Sequence, residues 1–150
     1  MSYTYEYPRP CVTVDVALFR KHHDKEEILL IQRKNPPFEG MWALPGGFIN
    51  MDENLSEAAF RELKEETGLT PRTLFQFRTY GDVYRDPRHR TITIVYYGFI
   101  DFEVSQPLSG DDAADAAWFS IQKLPPLAFD HTQIINELIE YLISNHQIVL

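Results

Sequence analysis

Three glutamates, Glu62, Glu65 and Glu66, sit close together in the stretch from Gly46 to Leu69, GGFINMDENLSEAAFRELKEETGL. Their i, i+3, i+4 spacing puts the carboxylates on one arc of about 100° if the segment is helical. The helix is signalled independently. Asn54 is a good N-cap, Glu57 completes a capping-box pattern with it, and Gly68 stands where a left-handed residue closes a helix, which predicts a helix over Leu55 to Thr67. The glutamates then occupy its last turns, where the helix dipole disfavours anions and the carboxylates repel one another. A positive partner is called for. One reading is a solvated acidic face relieved by Arg61 and Lys64, the usual fate of a charge run. The other is a site for a hard divalent cation such as magnesium, which takes oxygen ligands and is commonly shared with substrate phosphates. On the three glutamates alone the first reading is the ordinary one.

The spacing of the wider stretch shifts the balance to the second. Gly47, Glu53 and the run Arg61-Glu62-Leu63-Lys64-Glu65-Glu66-Thr67-Gly68-Leu69 stand at the offsets that define the Nudix box, so the chain resembles the Nudix hydrolases over residues 47 to 69. The resemblance implies that Glu62, Glu65 and Glu66 bind Mg2+ or Mn2+. It also implies that Glu53 pairs with Arg61 and, with Gly47, steadies the loop. Pro45 fixes the approach to Gly46 and Gly47, and these glycines are expected to permit positive φ and close approach of a ligand.

The rest of the chain must position that stretch. Its 150 residues are 44% hydrophobic and 13% aromatic, enough for one packed domain over 1–150. Residues 1–10 read as an arm. The net charge of −8 argues against a nucleic-acid partner, and there is neither a secretory signal nor an apolar run long enough to cross a membrane, so a cytoplasmic protein with no membrane partner is expected. The single cysteine, Cys11, excludes an internal disulfide and reads as strand packing. Cys11 to Phe19 alternates Val12, Val14, Val16 and Leu18 on one face, a strand; Arg20 to Glu27 reads as a hairpin loop and Ile28 to Gln32 as a second strand. Residues 35–41, with two prolines, form a loop before the extended piece Trp42 to Leu44. Beyond the box helix, Leu74 to Tyr84 is strand or strand plus loop, Asp86 to Arg90 a charged turn, and Thr91 to Phe102 a strand buried on both faces. Glu103 to Ala114 is a loop, Ala117 to Ile121 a short strand, and Thr132 to Ser144 an amphipathic helix with Asp130 or Thr132 near its cap. Strands around one central helix with a second helix after them predict an α+β fold. This agrees with the Nudix-type α/β/α sandwich, a mixed sheet between helices, that the resemblance implies.

The implied reaction is metal-dependent hydrolysis of a diphosphate linkage, with a small-molecule nucleotide as substrate. Glu65 and Glu66 are the catalytic candidates within the box, and Asp112, in the loop SGDDAADAAWF, is the candidate base by analogy with related enzymes; a flexible acidic loop is the alternative. The segment Tyr84 to Arg90 and the region around Trp118 resemble the ADP-ribose pyrophosphatase branch of the family. On that reading ADP-ribose is split to AMP and ribose 5-phosphate, with Arg33, Arg85, Arg88 and Arg90 as substrate contacts. Phe38, Tyr84 or Phe129 would stack on adenine, against ordinary core packing for each, and His131 is first a neighbour of the helix cap and second a substrate contact. Two alternatives stand beside it. One is a nucleoside triphosphate or oxidised-nucleotide pyrophosphohydrolase. The other is a non-catalytic module that senses an ADP-ribose-like ligand, as in transcriptional regulators of this branch that carry an added DNA-binding domain, for which this chain leaves no room. The resemblance also implies a homodimer.

Overall fold

The computed structural model describes residues 2–108 and 115–150. Seven strands among these residues form one mixed sheet, and a helix covers each face. At its centre lies β1, Cys11–His22. Alternate side chains of a strand point to opposite faces, so Val14, Val16 and Leu18 enter one core layer while Ala17 and Phe19 enter the other.

The expected hairpin loop over Arg20 to Glu27 is instead strand almost throughout. β2 begins at Lys25 and runs to Gln32, with His22 opposite Lys25. The turn is only His23 and Asp24, at φ 51° and 61°. Two successive positive φ values give a tight turn whose twist matches the strands it joins. The polar residues that suggested a loop are a cross-strand pair: Arg20 lies opposite Glu27 and donates from Nε to its Oε1 at 2.7 Å.

β3, Trp42–Ala43, pairs with β2, and β4, Gly46–Phe48, pairs antiparallel with β1. The helix α1, Leu55–Thr67, follows. Gly68 closes it at φ 77°, its N–H donating to the carbonyl of Lys64 at 2.8 Å. The reciprocal capping box does not form, because the Asn54 amide donates to the Glu57 carboxylate at 2.7 Å instead of capping a backbone N–H. Ala58, Ala59 and Leu63 bury against Val14, Val16 and Leu18, and the two alanines let the helix lie close to the sheet.

β5, Phe75–Tyr80, runs antiparallel to β6, Thr91–Phe99, which pairs in parallel with β1. β6 stops before the expected Phe102, which opens a 3-10 turn. β7, Asp115–Ser120, pairs with β2. α2, His131–Ser144, places Ile134, Ile135, Leu138, Ile139 and Leu142 in the second layer, against Ala17, Phe19 and Val95. Each such buried side chain contributes about 1.5–3 kcal/mol relative to exposure. Asp130 occupies the N-cap position without a side-chain capping bond; its carboxylate is held elsewhere. Among the described residues no helix is long and apolar enough to cross a membrane.

Candidate active site

β4 brings its two glycines against both β1 and α1. Neither adopts positive φ, contrary to expectation; they lie in ordinary strand backbone, and what they provide is proximity. A Cβ on Gly46 would strike the Val14 carbonyl and stand 2.5 Å from Asp15 Oδ1, and one on Gly47 would stand 2.6 Å from Glu62 Oε1. Side chains at either position would push the carboxylates away. With hydrogen alone there, Gly46 N–H donates to Glu66 Oε2 at 3.1 Å.

Arg61 organises the acidic face. Its Nε and Nη2 grip the two Glu53 carboxylate oxygens at 2.5 and 2.9 Å, and Nη2 also reaches the Phe48 carbonyl at 3.1 Å. Glu53 in turn accepts Asn50 N–H at 3.0 Å, so the loop between β4 and α1 is tied to the helix. Nη1 contacts Glu62 at 2.9 Å and Glu65 at 3.2 Å. The hydrogen bonds from Arg61 hold Glu53 below the usual carboxylate range, whereas burial raises Glu62 despite Arg61. Burial also pushes Glu66 up to about 8, a rise opposed by Gly46 N–H and increased by the carboxylates of Glu62, Asp15 and Glu65.

The three glutamates do not share one environment. Glu65 is 59% exposed in its side chain, Glu62 abuts Gly47, and Glu66 alone lines the adjacent cleft. Among the described residues no group of three or more His, Cys, Asp or Glu side chains is already gathered into a metal cage. The donor chemistry nevertheless fits a hard cation. The available ligands are carboxylate oxygens, and the burial that disfavours the charged forms of Glu62 and Glu66 is what a bound cation would offset.

The cleft beside Glu66 has a cationic wall made of Arg33, Arg85 and Arg88. The Arg33 Nε donates to the Pro37 carbonyl at 2.8 Å and its guanidinium lies 4.9 Å from the Phe129 ring centre. Burial and the neighbouring Arg88 charge lower the Arg33 pKa. Arg88 forks onto Asp86 at 3.0 and 2.8 Å and also approaches Phe129, at 5.5 Å. Arg85 is committed more fully, with both Asp130 oxygens at 2.9 and 2.7 Å and a side chain only 5% exposed. Arg90 does not join them. Its Nη1 donates to the Gly81 carbonyl at 2.6 Å, away from the cleft lining. Asp112 lies outside the described residues.

Of the aromatic candidates, Tyr84 is 92% exposed and off the cleft. Phe129 lines it, but Arg33 and Arg88 approach its ring and Phe38 meets it edge-on at 4.9 Å. Phe48, on β4, is the aromatic that lines the cleft with 48% of its surface open. Sequence reasoning also passed over Asp15 and Asp86, buried carboxylates in the lining, and Thr13 and Thr91 beside them. Asp15 had a readable signal, as the lone charge in the apolar strand VTVDVALF.

Residues 9–142 match the family model described as the NUDIX domain. The chain is 42% identical over 135 residues to the ADP-ribose pyrophosphatase of Methanocaldococcus jannaschii, covering 90% of this chain and 76% of that protein. It superposes on the NUDIX domain of Shewanella oneidensis NrtR complexed with ADP ribose with a TM-score of 0.82 and 36% identity, over 91% of this chain and 90% of that one. Shewanella oneidensis NrtR complexed with a 27mer DNA gives a TM-score of 0.78 and 37% identity, over 89% of this chain and 62% of that one. That DNA complex stands against the expectation of no nucleic-acid partner. Net charge sums the whole surface, whereas a nucleic acid meets one face, so a charge of −8 does not by itself exclude such a partner.

Proposed function

Because this chain belongs to the Nudix family and is a Nudix pyrophosphohydrolase, we propose that it hydrolyses the diphosphate linkage of ADP-ribose, releasing AMP and ribose 5-phosphate. The observation that carries this reading is one cleft lined by the half-buried Glu66 carboxylate together with Arg33 and Arg88. Glu62, Glu65 and Glu66 would hold Mg2+, or Mn2+ in its place. A bound divalent ion would neutralise the diphosphate and make hydroxide available near neutral pH.

The protein's own groups do the rest. Arg33 and Arg88 present guanidinium N–H donors to the diphosphate oxygens, with Phe129 holding the two side chains in place. Arg85 acts at one remove by fixing Asp130. Gly46 N–H orients Glu66, and Arg61 fixes Glu53 and the Phe48 carbonyl at the end of β4. Phe48 is the ring we assign to the nucleobase. Glu66 is the first candidate for the group that takes the proton from water, and Asp112 the second. The reading includes a homodimer, as the family resemblance implies, and the cytoplasmic location expected from the sequence.

A second reading, an ADP-ribose sensor without turnover, is favoured by the NrtR domain that was crystallised with ADP ribose. A panel of ADP-ribose, nucleoside diphosphate sugars and nucleoside triphosphates with Mg2+ separates the readings. AMP from ADP-ribose is expected. Pyrophosphate released from triphosphates would move the protein to the other enzyme class, and tight ADP-ribose binding without product would make it a sensor.

A further inference from the structure

Leu44 to Gly46 is fastened at three successive points. The Leu44 N–H donates to His131 Nδ1 at 3.0 Å, the Pro45 carbonyl accepts Val16 N–H at 2.8 Å, and Gly46 N–H donates to Glu66 Oε2 at 3.1 Å. Proline has no N–H, so the bond to His131 is the donor-side fastening immediately before the glycines. Leu44 and His131 are both buried, at 2% and 3% exposure, so loss of this bond would leave a buried N–H unpaired.

An N–H pointing at Nδ1 requires a lone pair there, which places the imidazole proton on Nε2. Burial lowers the His131 pKa and keeps the ring in that neutral form. Nε2 faces Asp15 Oδ1 at 3.8 Å, and Asp15 Oδ2 accepts the Thr93 hydroxyl at 2.6 Å. Asp15 is also the carboxylate against which Gly46 seats. The ring therefore contacts the glycine segment from one side and the floor beneath it from the other. Its two predecessors meet the arginines of the same cleft: Arg33 and Arg88 lie over Phe129, and Asp130 clasps Arg85.

We propose that His131 is a positioning residue for the hydrolytic site, acting through the Leu44 N–H to set Gly46 and thereby the Glu66 carboxylate. With Phe129 and Asp130 it makes the start of α2 a bracket joining the acidic and cationic walls of the cleft. The inference rests on the hydrolase reading above, and its tests do not all depend on turnover.

An asparagine at this position carries an acceptor near the place of Nδ1, whereas glutamine reaches toward the place of Nε2 and leaves the Leu44 N–H unpaired. In the 150-residue chain, His131→Asn is expected to retain most of kcat for ADP-ribose. His131→Gln and His131→Leu are expected to lose about ten- to hundredfold in kcat with little change in KM, and to weaken Mn2+ binding, read by the EPR signal of the free ion, in parallel. Equal losses in the Asn and Gln variants, or wild-type kcat and Mn2+ affinity in the Leu variant, would overturn the proposal. Should the variants fail to fold, the wild-type protein still answers. A scalar coupling across the hydrogen bond between the Leu44 amide nitrogen and His131 Nδ1 is expected by NMR, and its absence counts against the proposal. A wild-type protein that leaves ADP-ribose intact would sink the hydrolase reading, while Mn2+ affinity and the coupling would continue to test this one.

Discussion

Glu66 sits where two requirements conflict. It is held by Gly46 N–H at the edge of the cleft, yet burial and three neighbouring carboxylates resist its charge. Replacing it by a neutral amide should relieve the metal-free protein above about pH 8, where the carboxylate is ionised, while disabling it. Glu66→Gln is expected to melt at the same temperature as wild type or higher, and to lose at least about a hundredfold in turnover. Calorimetry and a product assay on the same sample check both halves. Asp86 is the opposite case. Burial would raise it, but the Arg88 guanidinium and Arg88 N–H together hold it below the usual aspartate range. A carboxyl whose folded pKa is depressed adds stability above its unfolded pKa and loses it as pH falls through the folded value. The stability difference between wild type and Asp86→Asn should therefore be constant above about pH 5 and shrink below about pH 4, as followed by urea unfolding. At this scale the sequence was legible where residue type and spacing sufficed, as with the pairing of Glu53 and Arg61. It was not where direction decided: Arg88 and Arg90 are two residues apart, and only Arg88 lines the cleft.

The element that positions the chemistry is α1 with the strand ahead of it. Its bounds could be read from Asn54 and Gly68 because helix ends need particular backbone conformations that few residues adopt cheaply. Gly68 has φ 77°, and a Cβ there would stand 2.6 Å from the Leu108 side chain. Gly68→Ala should cost about 1–2 kcal/mol from the left-handed backbone, measurable by denaturant unfolding, with more if Leu108 cannot shift. Gly47→Ala should act differently. Its Cβ meets the end of a flexible glutamate rather than backbone, so the fold should survive while Glu62 is displaced. The expected result is a near-normal melting temperature with weakened Mn2+ binding by EPR. The β1–β2 hairpin was read, but its tight turn and the full length of its strands were not, because the turn is His23-Asp24, without the glycine or asparagine that usually marks positive φ, and because Arg20 and Glu27 pair across the strands. β4 escaped because two glycines resemble a loop until β1 is seen beside them.

Across the whole molecule the cleft draws on β1, β2, β4, α1, the segment before β6 and the start of α2, elements spread over most of the chain. The layered fold was legible because alternation along β1 and the repeat in α2 each specify which face is buried. The substrate side was not, because it depends on which side chains a sheet with its centre in residues 11–22 brings together from distant loops. On the proposed reading, that assembly joins a carboxylate that would support a divalent ion to the guanidinium groups beside Phe129, and it would be the physical basis for cleaving a diphosphate. The direct test is phosphorus NMR of ADP-ribose incubated with the protein and Mg2+, beside samples containing EDTA or Glu66→Gln. The account predicts AMP and ribose 5-phosphate in the first sample alone. Intact ADP-ribose in all three samples, with the ligand bound, would contradict it.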